Sequence, residues 1–404
     1  MSPNAVRFDF RFSSNSEENN KEKHVRQELI LDFAKSHAGE TNISGIDLYP
    51  VARAGKSGSE VFYLDLSISG IGFPERFIAK FQPRDFTERE QNSARLAQIA
   101  KLCTRIFSLN HPIKNIGLII YDIATARDHI EFRGYFLDPK NSDDFCAEGL
   151  RSIFQLVGRH PNPEAPTKPL ISDYEWYLDR RTQPLQRIQA LANMPNKNPS
   201  FREIGESILK YYKQIENMYN FNVHPYLVHG DLHARNLLNS RQNPARAELI
   251  DFGWVHFGHP VKDFVLMEST LKYMLLPEFL PVARGTSSDP LLPTAGTIED
   301  FELFLWSSGL LLPSVEEFHR SFLSHRALPK HQEQSLLRVY RCLQEVRAAA
   351  AEVLQEYCIK HGNGADERLH YFSGAFLMTF SLIGIQELEQ FWALIGLNAL
   401  GSQL

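Results

Sequence analysis

Two short polar motifs with apolar flanks constrain this 404-residue chain more than any other feature. The first is HGDLHARN at positions 229–236, which follows Leu227 and Val228. The second is IDFG at positions 250–253, which follows Glu248 and Leu249. Within them, Asn236 comes five positions after Asp231, and Asp251 comes fifteen positions after Asn236. The flanks predict short strands around 227–228 and 249–250, so the polar residues stand beside strand ends.

This set of side chains suits phosphoryl transfer. One carboxylate must accept the proton of an acceptor hydroxyl, while an Asn and a second Asp supply oxygen ligands to Mg²⁺ on the nucleotide phosphates. Mg²⁺ prefers oxygen ligands and keeps several waters, so it needs few protein groups. Positioning and charge stabilisation then supply most of the rate, and little further catalytic machinery is required.

The two motifs together resemble those of the aminoglycoside phosphotransferase and choline kinase-like family, whose fold is similar to that of the eukaryotic protein kinases. The resemblance implies that Asp231 is the catalytic base and that His229 shapes the loop before it. It also implies that Asn236 and Asp251 bind Mg²⁺ and that ATP donates the phosphate. Both motifs have the family's order and internal spacing, which makes the signal specific.

Two alternatives are a metal-dependent phosphoesterase and a metal site that includes the later histidines. The Asp231-x-His233 element also occurs in metal-dependent phosphoesterases, but that class needs downstream Gly-Asp and Gly-Asn-His motifs, which the chain lacks. We interpret His256 and His259 as turn and packing residues rather than metal ligands. Asp263 matches an Asp that often follows the family's metal motif, and we expect it to anchor the loop.

The N-terminal part reads as three strands, at 47–51, 60–68 and 76–81. A kinase-like fold needs a glycine-bearing turn between the first two, where backbone N–H groups approach phosphates unhindered by a Cβ. The turn here supplies four candidate nucleotide-binding residues: Gly55, Ser57, Gly58 and Ser59. It is not a Walker loop, which needs Gly at position 50 where the chain has Pro50. An ordinary hairpin explains the turn equally well.

Lys80 is the lone cation of the third strand, FIAKF, and an unpaired ammonium buried there would be costly. The resemblance implies that Lys80 contacts the α- and β-phosphates and pairs with a Glu of the next helix. A Lys exposed at the sheet edge is the alternative. Thr87 predicts the cap of that helix, with Glu90 as the capping-box acid and an end near Leu102.

The partner of Lys80 is either Glu88 or Glu90. The family's Arg-Glu pair at this point resembles Arg89-Glu90, which favours Glu90. Helical periodicity does not decide, because it places Glu88 in line with an apolar stripe: Leu96, Ile99 and Cys103. If Glu90 served only as the capping acid, Glu88 would pair with Lys80.

The apolar run Gly117–Ile123 predicts a buried strand that leads into the hinge between two lobes. By the resemblance, backbone groups near Tyr121 to Ala124 face the adenine, which makes Tyr121 and Ile123 candidate nucleotide-binding residues. A plain core strand is compatible with this, because the hinge contacts come from the backbone.

Composition excludes several classes of protein. The formal charge of −5 argues against a dedicated nucleic-acid binder. Four cysteines without a CxxC pair argue against a zinc cluster or a disulfide scaffold and favour a reducing cytoplasm. The longest uncharged apolar run, 371–385, is shorter than a membrane span and predicts a buried helix.

The predicted fold class is α+β, a bilobal protein kinase-like fold with a small antiparallel-sheet N-lobe and a large, mainly helical C-lobe. Residues 1–24 are polar and predict a disordered tail. The N-lobe spans 25–124, and its first helix carries an apolar stripe: Val25, Leu29, Ile30 and Phe33. The C-lobe spans 125–404, with an insertion around 284–330.

Two functions follow from these observations. The first is an ATP-dependent phosphotransferase that moves the γ-phosphate to a hydroxyl of a small molecule or a protein. The alternative is a nucleotide-binding signalling module with little turnover, similar to components of bacterial conflict or ternary systems. The intact Asp231, Asn236 and Asp251 set favours the enzyme, since a module without turnover has no need of a base.

Overall fold

The computed structural model describes residues 7–10, 17–50, 59–103, 105–122, 128–179, 183–193, 199–280, 295–326, 328–362 and 365–404. The chain divides into two compact units. The first unit comprises Met1–His129 and Glu248–Val255, and the second comprises Ile130–Ala247 and His256–Leu404.

The first unit is built on a six-stranded sheet in the order β1-β2-β3-β4-β6-β5. Its elements are β1 (Arg7–Phe10), α1 (Glu17–Ala38), β2 (Ile43–Pro50), β3 (Glu60–Ile68), β4 (Glu75–Gln82), α2 (Arg84–Ile99), β5 (Ile106–Asn110), β6 (Gly117–Tyr121) and β7 (His129–Glu131), which continues into the second unit. Strands β1 and β2 are parallel, and the other neighbours in this sheet are antiparallel. The strands predicted at 60–68 and 76–81 are confirmed as β3 and β4.

Strand β4 has both faces covered. On one face Phe77, Ala79 and Phe81 join the apolar core that α1 forms with the sheet. Because successive side chains of a strand point to opposite faces, Lys80 and Gln82 lie on the other face. Strand β4 is interior to the sheet, so Lys80 is not at a sheet edge, and the exposed-Lys alternative is wrong.

The N-terminal segment contains more regular structure than expected. Helix α1 begins at Glu17 rather than after residue 24, and β1 also lies within the predicted tail 1–24. The first turns of α1 are polar and carry no apolar period, which is why the sequence did not reveal them. The predicted apolar stripe of α1, from Val25 to Phe33, is buried as expected.

Helix α2 begins before its predicted cap. Pro83 occupies the N-cap position, so Thr87 lies one turn inside the helix, where its hydroxyl donates to the Pro83 carbonyl at 3.3 Å. The predicted capping box at Thr87 is therefore wrong. The buried face of α2 carries Glu90, Ala94 and Ala97, whereas the predicted stripe residue Ile99 is 79% exposed.

The second unit is mainly helical. Its elements are α3 (Phe132–Leu137), α4 (Asp143–Phe154), β8 (Lys168–Pro169), α5 (Leu170–Leu178), α6 (Pro184–Ala192), α7 (Pro199–Met218), β9 (Asn222–Val223), β10 (Tyr226–Val228), β11 (Leu237–Ser240), β12 (Ala247–Leu249), which leads back into the first unit, β13 (His256–Gly258), α8 (Lys262–Thr270), α9 (Leu276–Phe279), α10 (Ala295–Ser307), α11 (Val315–Ser321), α12 (Lys330–His361), α13 (Glu367–Ser381) and α14 (Gln390–Gly401). Strand β10 pairs antiparallel with β13, which sets Val228 opposite His256.

Helix α13 forms the centre of this unit. Every residue from 370 to 381 is buried, so the predicted buried helix is confirmed for 371–381, whereas 382–385 lie beyond its end. Beside it, the fully buried Arg347 donates two hydrogen bonds to Glu268, at 2.9 and 2.8 Å, and Tyr371 donates to the same carboxylate at 2.7 Å. These buried charges are paired, as burial requires. In the part of the chain that the structure describes, no helix is long and apolar enough to cross a membrane.

The α+β class is confirmed, with a small sheet-based unit and a larger helical one. One division differs from the expected lobes. The metal-motif segment Glu248–Val255 belongs to the first unit, whereas the predicted C-lobe 125–404 includes it. Of the expected insertion, residues 284–294 lie outside the described residues, and α10 and α11 fall in the remainder.

Candidate active site

The first unit buries one lysine between two carboxylates. The Lys80 ammonium donates to Glu90 Oε2 at 3.0 Å and to Asp251 Oδ1 at 2.8 Å. Lys80 comes from β4, Glu90 from α2, and Asp251 from the segment after β12. Only 5% of Lys80 and 1% of Glu90 are exposed. The structure thus brings together three residues that the sequence analysis assigned to phosphate and metal binding.

The charges of this cluster depend on one another. Burial lowers the pKa of Lys80, but the attraction of Glu90 and Asp251 outweighs it, so the net shift of that pKa is upward. Burial raises the pKa of Glu90 and the charge of Asp251 adds to that rise, while Lys80 opposes it. Lys80 is therefore a permanent cation that keeps two neighbouring carboxylates in place.

Glu90, not Glu88, is the partner of Lys80. Glu90 also accepts from Gln82 Nε2 at 2.8 Å and from the hydroxyl of Tyr121. Glu88 lies on the exposed face of α2, where Arg84 donates to it at 2.8 Å. Because Pro83 is the N-cap of α2, Glu90 lies inside the helix rather than at the capping-box position.

Tyr121 joins the two carboxylate-bearing segments. Its hydroxyl donates to Glu90 and accepts the backbone N–H of Asp251 at 3.1 Å. Asp251 has φ 64°, a left-handed conformation that is uncommon outside Gly and Asn, and a 3₁₀ turn follows at Phe252–Trp254. The sequence analysis proposed Tyr121 for its backbone alone, so this side-chain role was missed.

Arg89 fixes the residues that follow Asp251. Its Nε donates to the Gly253 carbonyl at 2.9 Å, and its guanidinium lies 3.8 Å from the centre of the Trp254 ring. Burial lowers the pKa of Arg89. Nothing in the local sequence marks this contact, because Arg89 and Trp254 are far apart in the chain.

Among the residues predicted in the glycine turn, Gly55, Ser57 and Gly58 lie outside the described residues, as does Ile123 of the predicted hinge. Ser59 is described and buried. Its hydroxyl donates to Gln82 Oε1 at 3.5 Å, and Gln82 in turn donates to Glu90. Ser59 thus lies one side chain away from the Lys80 cluster.

The HGDLHARN loop lies in the second unit between β10 and β11. The Asn236 side-chain nitrogen donates to the backbone oxygen of Asp231 at 2.8 Å and to its Oδ2 at 3.3 Å. The Asp231 side chain is 36% exposed, and its Oδ2 lies 3.7 Å from Nε2 of His233. The loop therefore holds a solvent-accessible carboxylate beside the Asn that the motif pairs with it.

Asp263 anchors this loop, as predicted. Its two carboxylate oxygens accept the backbone N–H groups of His229 at 2.7 Å and Gly230 at 2.8 Å. Burial raises the pKa of Asp263 to about 6, and these two hydrogen bonds oppose the rise. His229 is fully buried, and its Nδ1 accepts the N–H of Asp231 at 3.4 Å, which suits a loop-shaping residue.

The histidines after the second motif have packing contacts. His256 lies in β13, where its Nε2 is 3.1 Å from the ammonium of Lys262. His259 is buried and donates its backbone N–H to Asp173 at 2.8 Å, while its ring contacts Tyr174 and His370. These contacts agree with the interpretation of both residues as turn and packing residues.

The candidate metal ligands have the donor atoms that Mg²⁺ prefers. Because the Asn236 nitrogen is directed at Asp231, its carbonyl oxygen is left outside these hydrogen bonds. Asp251 contributes a carboxylate that is 32% exposed. The described residues contain no group of three or more His, Cys, Asp or Glu that could hold a metal ion, but Mg²⁺ on a nucleotide needs fewer. The residues present therefore fit Mg²⁺.

A model of the phosphotransferase enzyme family matches residues 73–271. These residues form a phosphotransferase-family domain. The match includes β4 with Lys80, α2 with Glu90 and both polar motifs, so the family recognised from the motifs is confirmed. A search of curated protein sequences found no match.

The chain is also similar to solved structures of small-molecule kinases. A choline kinase from Streptococcus pneumoniae is 12% identical, with 79% of this chain and 99% of that chain covered and a TM-score of 0.35. An aminoglycoside phosphotransferase from Streptomyces rimosus is 17% identical, with 79% and 98% covered and a TM-score of 0.38. An ethanolamine kinase from Plasmodium vivax is 11% identical, with 95% and 100% covered and a TM-score of 0.39.

Proposed function

We propose that this protein is an ATP-dependent phosphotransferase that moves the γ-phosphate of ATP to a hydroxyl group. The buried Lys80, held between Glu90 and Asp251, is the observation that carries the proposal. In kinase-like enzymes such an ion pair and a metal-binding Asp must both be in place for transfer.

In the first unit, Lys80 contacts the α- and β-phosphates, and Glu90 fixes the position of its ammonium. Gln82 and Tyr121 hold Glu90, so the position is set by a network rather than by one contact. Asp251 would bind the metal ion, and the glycine turn and Ser59 would bind the phosphates. Backbone groups near Tyr121 and Ile123 bind the adenine.

In the second unit, Asp231 accepts the proton of the acceptor hydroxyl as its oxygen bonds to the γ-phosphorus and ADP departs. Asn236 would provide an oxygen ligand to the metal ion, and His229 shapes the loop. Mg²⁺, when bound, neutralises phosphate charge. Asp231 is partly exposed, as a group that meets a diffusing acceptor must be.

The acceptor is an alcohol group of a small molecule or of a protein. We place the activity in a reducing cytoplasm, a setting that four cysteines without a CxxC pair favour. No direct nucleic-acid binding is proposed, because the formal charge of −5 offers no basic excess.

The test is to follow the label from γ-labelled ATP with Mg²⁺. The protein alone, a panel of small alcohols and a protein lysate are compared, with the Asp231→Asn variant as the matched control. We expect the label to move to one acceptor class with the wild type and to remain on ATP with the variant. Stoichiometric ATP binding without transfer to any acceptor or to water would instead support the signalling module.

A further inference from the structure

Gly230, the residue directly before Asp231, is held at both of its backbone polar groups by side chains. Its N–H donates to Asp263 of α8 at 2.8 Å, and its carbonyl accepts the hydroxyl of Tyr177 at 2.7 Å. Gly230 has φ 78°, a conformation that glycine adopts freely and other residues rarely do. Without these two contacts, the most flexible residue of the loop would be free to rotate.

Tyr177 itself rests on a rigid support. It lies at the end of α5, next to Tyr174, and the Lys262 ammonium is 5.0 Å from the Tyr174 ring centre and 5.4 Å from that of Tyr177. Lys262 is fixed in turn by Asp173, whose carboxylate and backbone oxygens each accept from it at 2.7 Å. The Tyr177 side chain is therefore held in place by its packed neighbours, so its hydroxyl has a fixed position.

The protonation state of Tyr177 suits a permanent donor. Burial raises its pKa well above the ordinary tyrosine value, and the charges of Asp263 and Asp231 raise it further. The hydroxyl thus keeps its proton throughout the pH range in which a kinase works. The Gly230 carbonyl retains its hydrogen bond over the same range.

We propose that Tyr177 is a positioning residue for Asp231: it fixes the Gly230 carbonyl and so sets the direction in which the next residue presents its carboxylate. Asp263 accepts a hydrogen bond from the N–H of Gly230, and Tyr177 donates one to its carbonyl, so both polar groups of this residue are fixed. The proposal rests on the proposed function, in which Asp231 is the base.

The test compares Tyr177→Phe with Tyr174→Phe, two variants that each remove one hydroxyl from the same helix. The Tyr174 hydroxyl contacts His259 Nδ1 at 3.2 Å, not the loop. We expect Tyr177→Phe to lower kcat for phosphate transfer from Mg·ATP about fivefold, the scale of one lost hydrogen bond, and to leave KM for Mg·ATP within twofold. Tyr174→Phe should change neither constant.

Hydrogen–deuterium exchange of the peptide that contains 229–236 provides a readout that does not depend on activity. Its exchange should become several-fold faster in Tyr177→Phe and stay unchanged in Tyr174→Phe. Unchanged exchange in Tyr177→Phe, or equal loss of kcat in both variants, would overturn the proposal. A third outcome separates the two proposals. If exchange is faster in Tyr177→Phe but the wild type transfers phosphate neither to an acceptor nor to water, Tyr177 does fix Gly230 and the proposed function is wrong.

Discussion

The ammonium of Lys80 lies 2.8 Å from the carboxylate of Asp251, although 171 positions separate the two residues in the chain. The contact joins the central strand of the sheet to the segment that carries the metal motif, and it explains why Glu248–Val255 belongs to the first unit. With Glu90 on the other side, one buried cation organises two carboxylates.

Removal of the Lys80 charge should abolish most catalysis. Lys80→Met keeps an unbranched side chain but leaves Glu90 and Asp251 without their cation, so transfer from Mg·ATP should fall by roughly 10²-fold or more. Glu90→Gln should have a similar effect, because Lys80 is no longer held. Steady-state kinetics with labelled ATP measure both losses.

The control for this prediction is Glu88→Gln, on the exposed face of the same helix, where the carboxylate contacts Arg84. It should keep wild-type kcat and KM. A damaging Glu88→Gln combined with an active Glu90→Gln would show that the buried pair does not serve the nucleotide.

Asp251→Asn should weaken the metal complex selectively. An amide is a poorer Mg²⁺ ligand than a carboxylate, so affinity for Mg·ATP should fall by about tenfold or more while affinity for metal-free ATP changes little. Isothermal titration with and without Mg²⁺ gives both constants, and Asp85→Asn on the exposed first turn of α2 is the control. Equal weakening of both forms of ATP would contradict the assignment of Asp251 as a metal ligand.

Arg89→Ala should loosen the segment after Asp251. The variant loses the hydrogen bond to the Gly253 carbonyl and the contact with Trp254, so the Mg²⁺ concentration for half-maximal turnover should rise about fivefold. Arg89→Lys should not restore it, because an ammonium lacks the planar face that stacks on the indole. Arg84→Ala, which removes an exposed arginine of the same helix, should behave as wild type in the same Mg²⁺ titration.

The sequence predicted that Lys80, a helical glutamate and Asp251 belong to one site, but it did not decide which glutamate pairs with Lys80. The two polar motifs and the strand pattern around Lys80 identify it, because strand alternation and fixed motif spacing are local signals. The choice between Glu88 and Glu90 was not local, since it depends on Pro83 starting α2 one turn earlier than Thr87 suggested. Because the N-cap lies four positions earlier than predicted, Glu90 is inside the helix rather than at the capping-box position, and its carboxylate is available to Lys80.

Two other contacts could not be predicted from the sequence. Arg89 meets Gly253 across 164 positions, and Tyr177 meets Gly230 across 53. Each donor is an ordinary helical residue whose partner is a backbone carbonyl, a group that every residue possesses. Only the packing of distant elements selects which carbonyl is reached, so no residue pattern could have marked either contact.

Two buried histidines should make the protein less stable in acid. His259 Nε2 lies 3.0 Å from Nδ1 of His370. Burial lowers the pKa of His370 to about 4, and the attraction of Asp366 opposes the shift. Burial also lowers the pKa of His259, and the charges of His370 and Lys262 lower it further. The folded state therefore keeps both rings neutral, whereas the unfolded chain protonates near pH 6.5.

The sign follows from proton uptake by the unfolded state. The contribution of these histidines to the free energy of unfolding should be constant above pH 6.5 and fall as the pH drops from 6.5 towards 4, with about 3 kcal/mol from His370 alone. Denaturant unfolding at a series of pH values measures the slope. His370→Gln should flatten it, and His319→Gln, at an exposed position of α11, should not. A slope unchanged in His370→Gln would contradict the assignment.

Asp231→Asn separates an enzyme from a binding module. Asp231 is the partly exposed carboxylate of the loop, and its role is to accept a proton, not to bind the metal ion. The substitution keeps the side chain's shape and the Asn236 contact to the Asp231 backbone oxygen. Transfer should therefore fall by roughly 10²-fold or more, the scale for loss of a general base, while affinity for Mg·ATP stays within a few-fold.

The control is Asp144→Asn, which changes a carboxylate that is 76% exposed in the same unit and should alter neither quantity. Isothermal titration of Mg·ATP beside a transfer assay gives both readouts, and complementation in cells gives a third. A variant that binds Mg·ATP normally and retains full biological activity would show that Asp231 is not a base, and the protein would then act by binding nucleotide rather than by transferring phosphate.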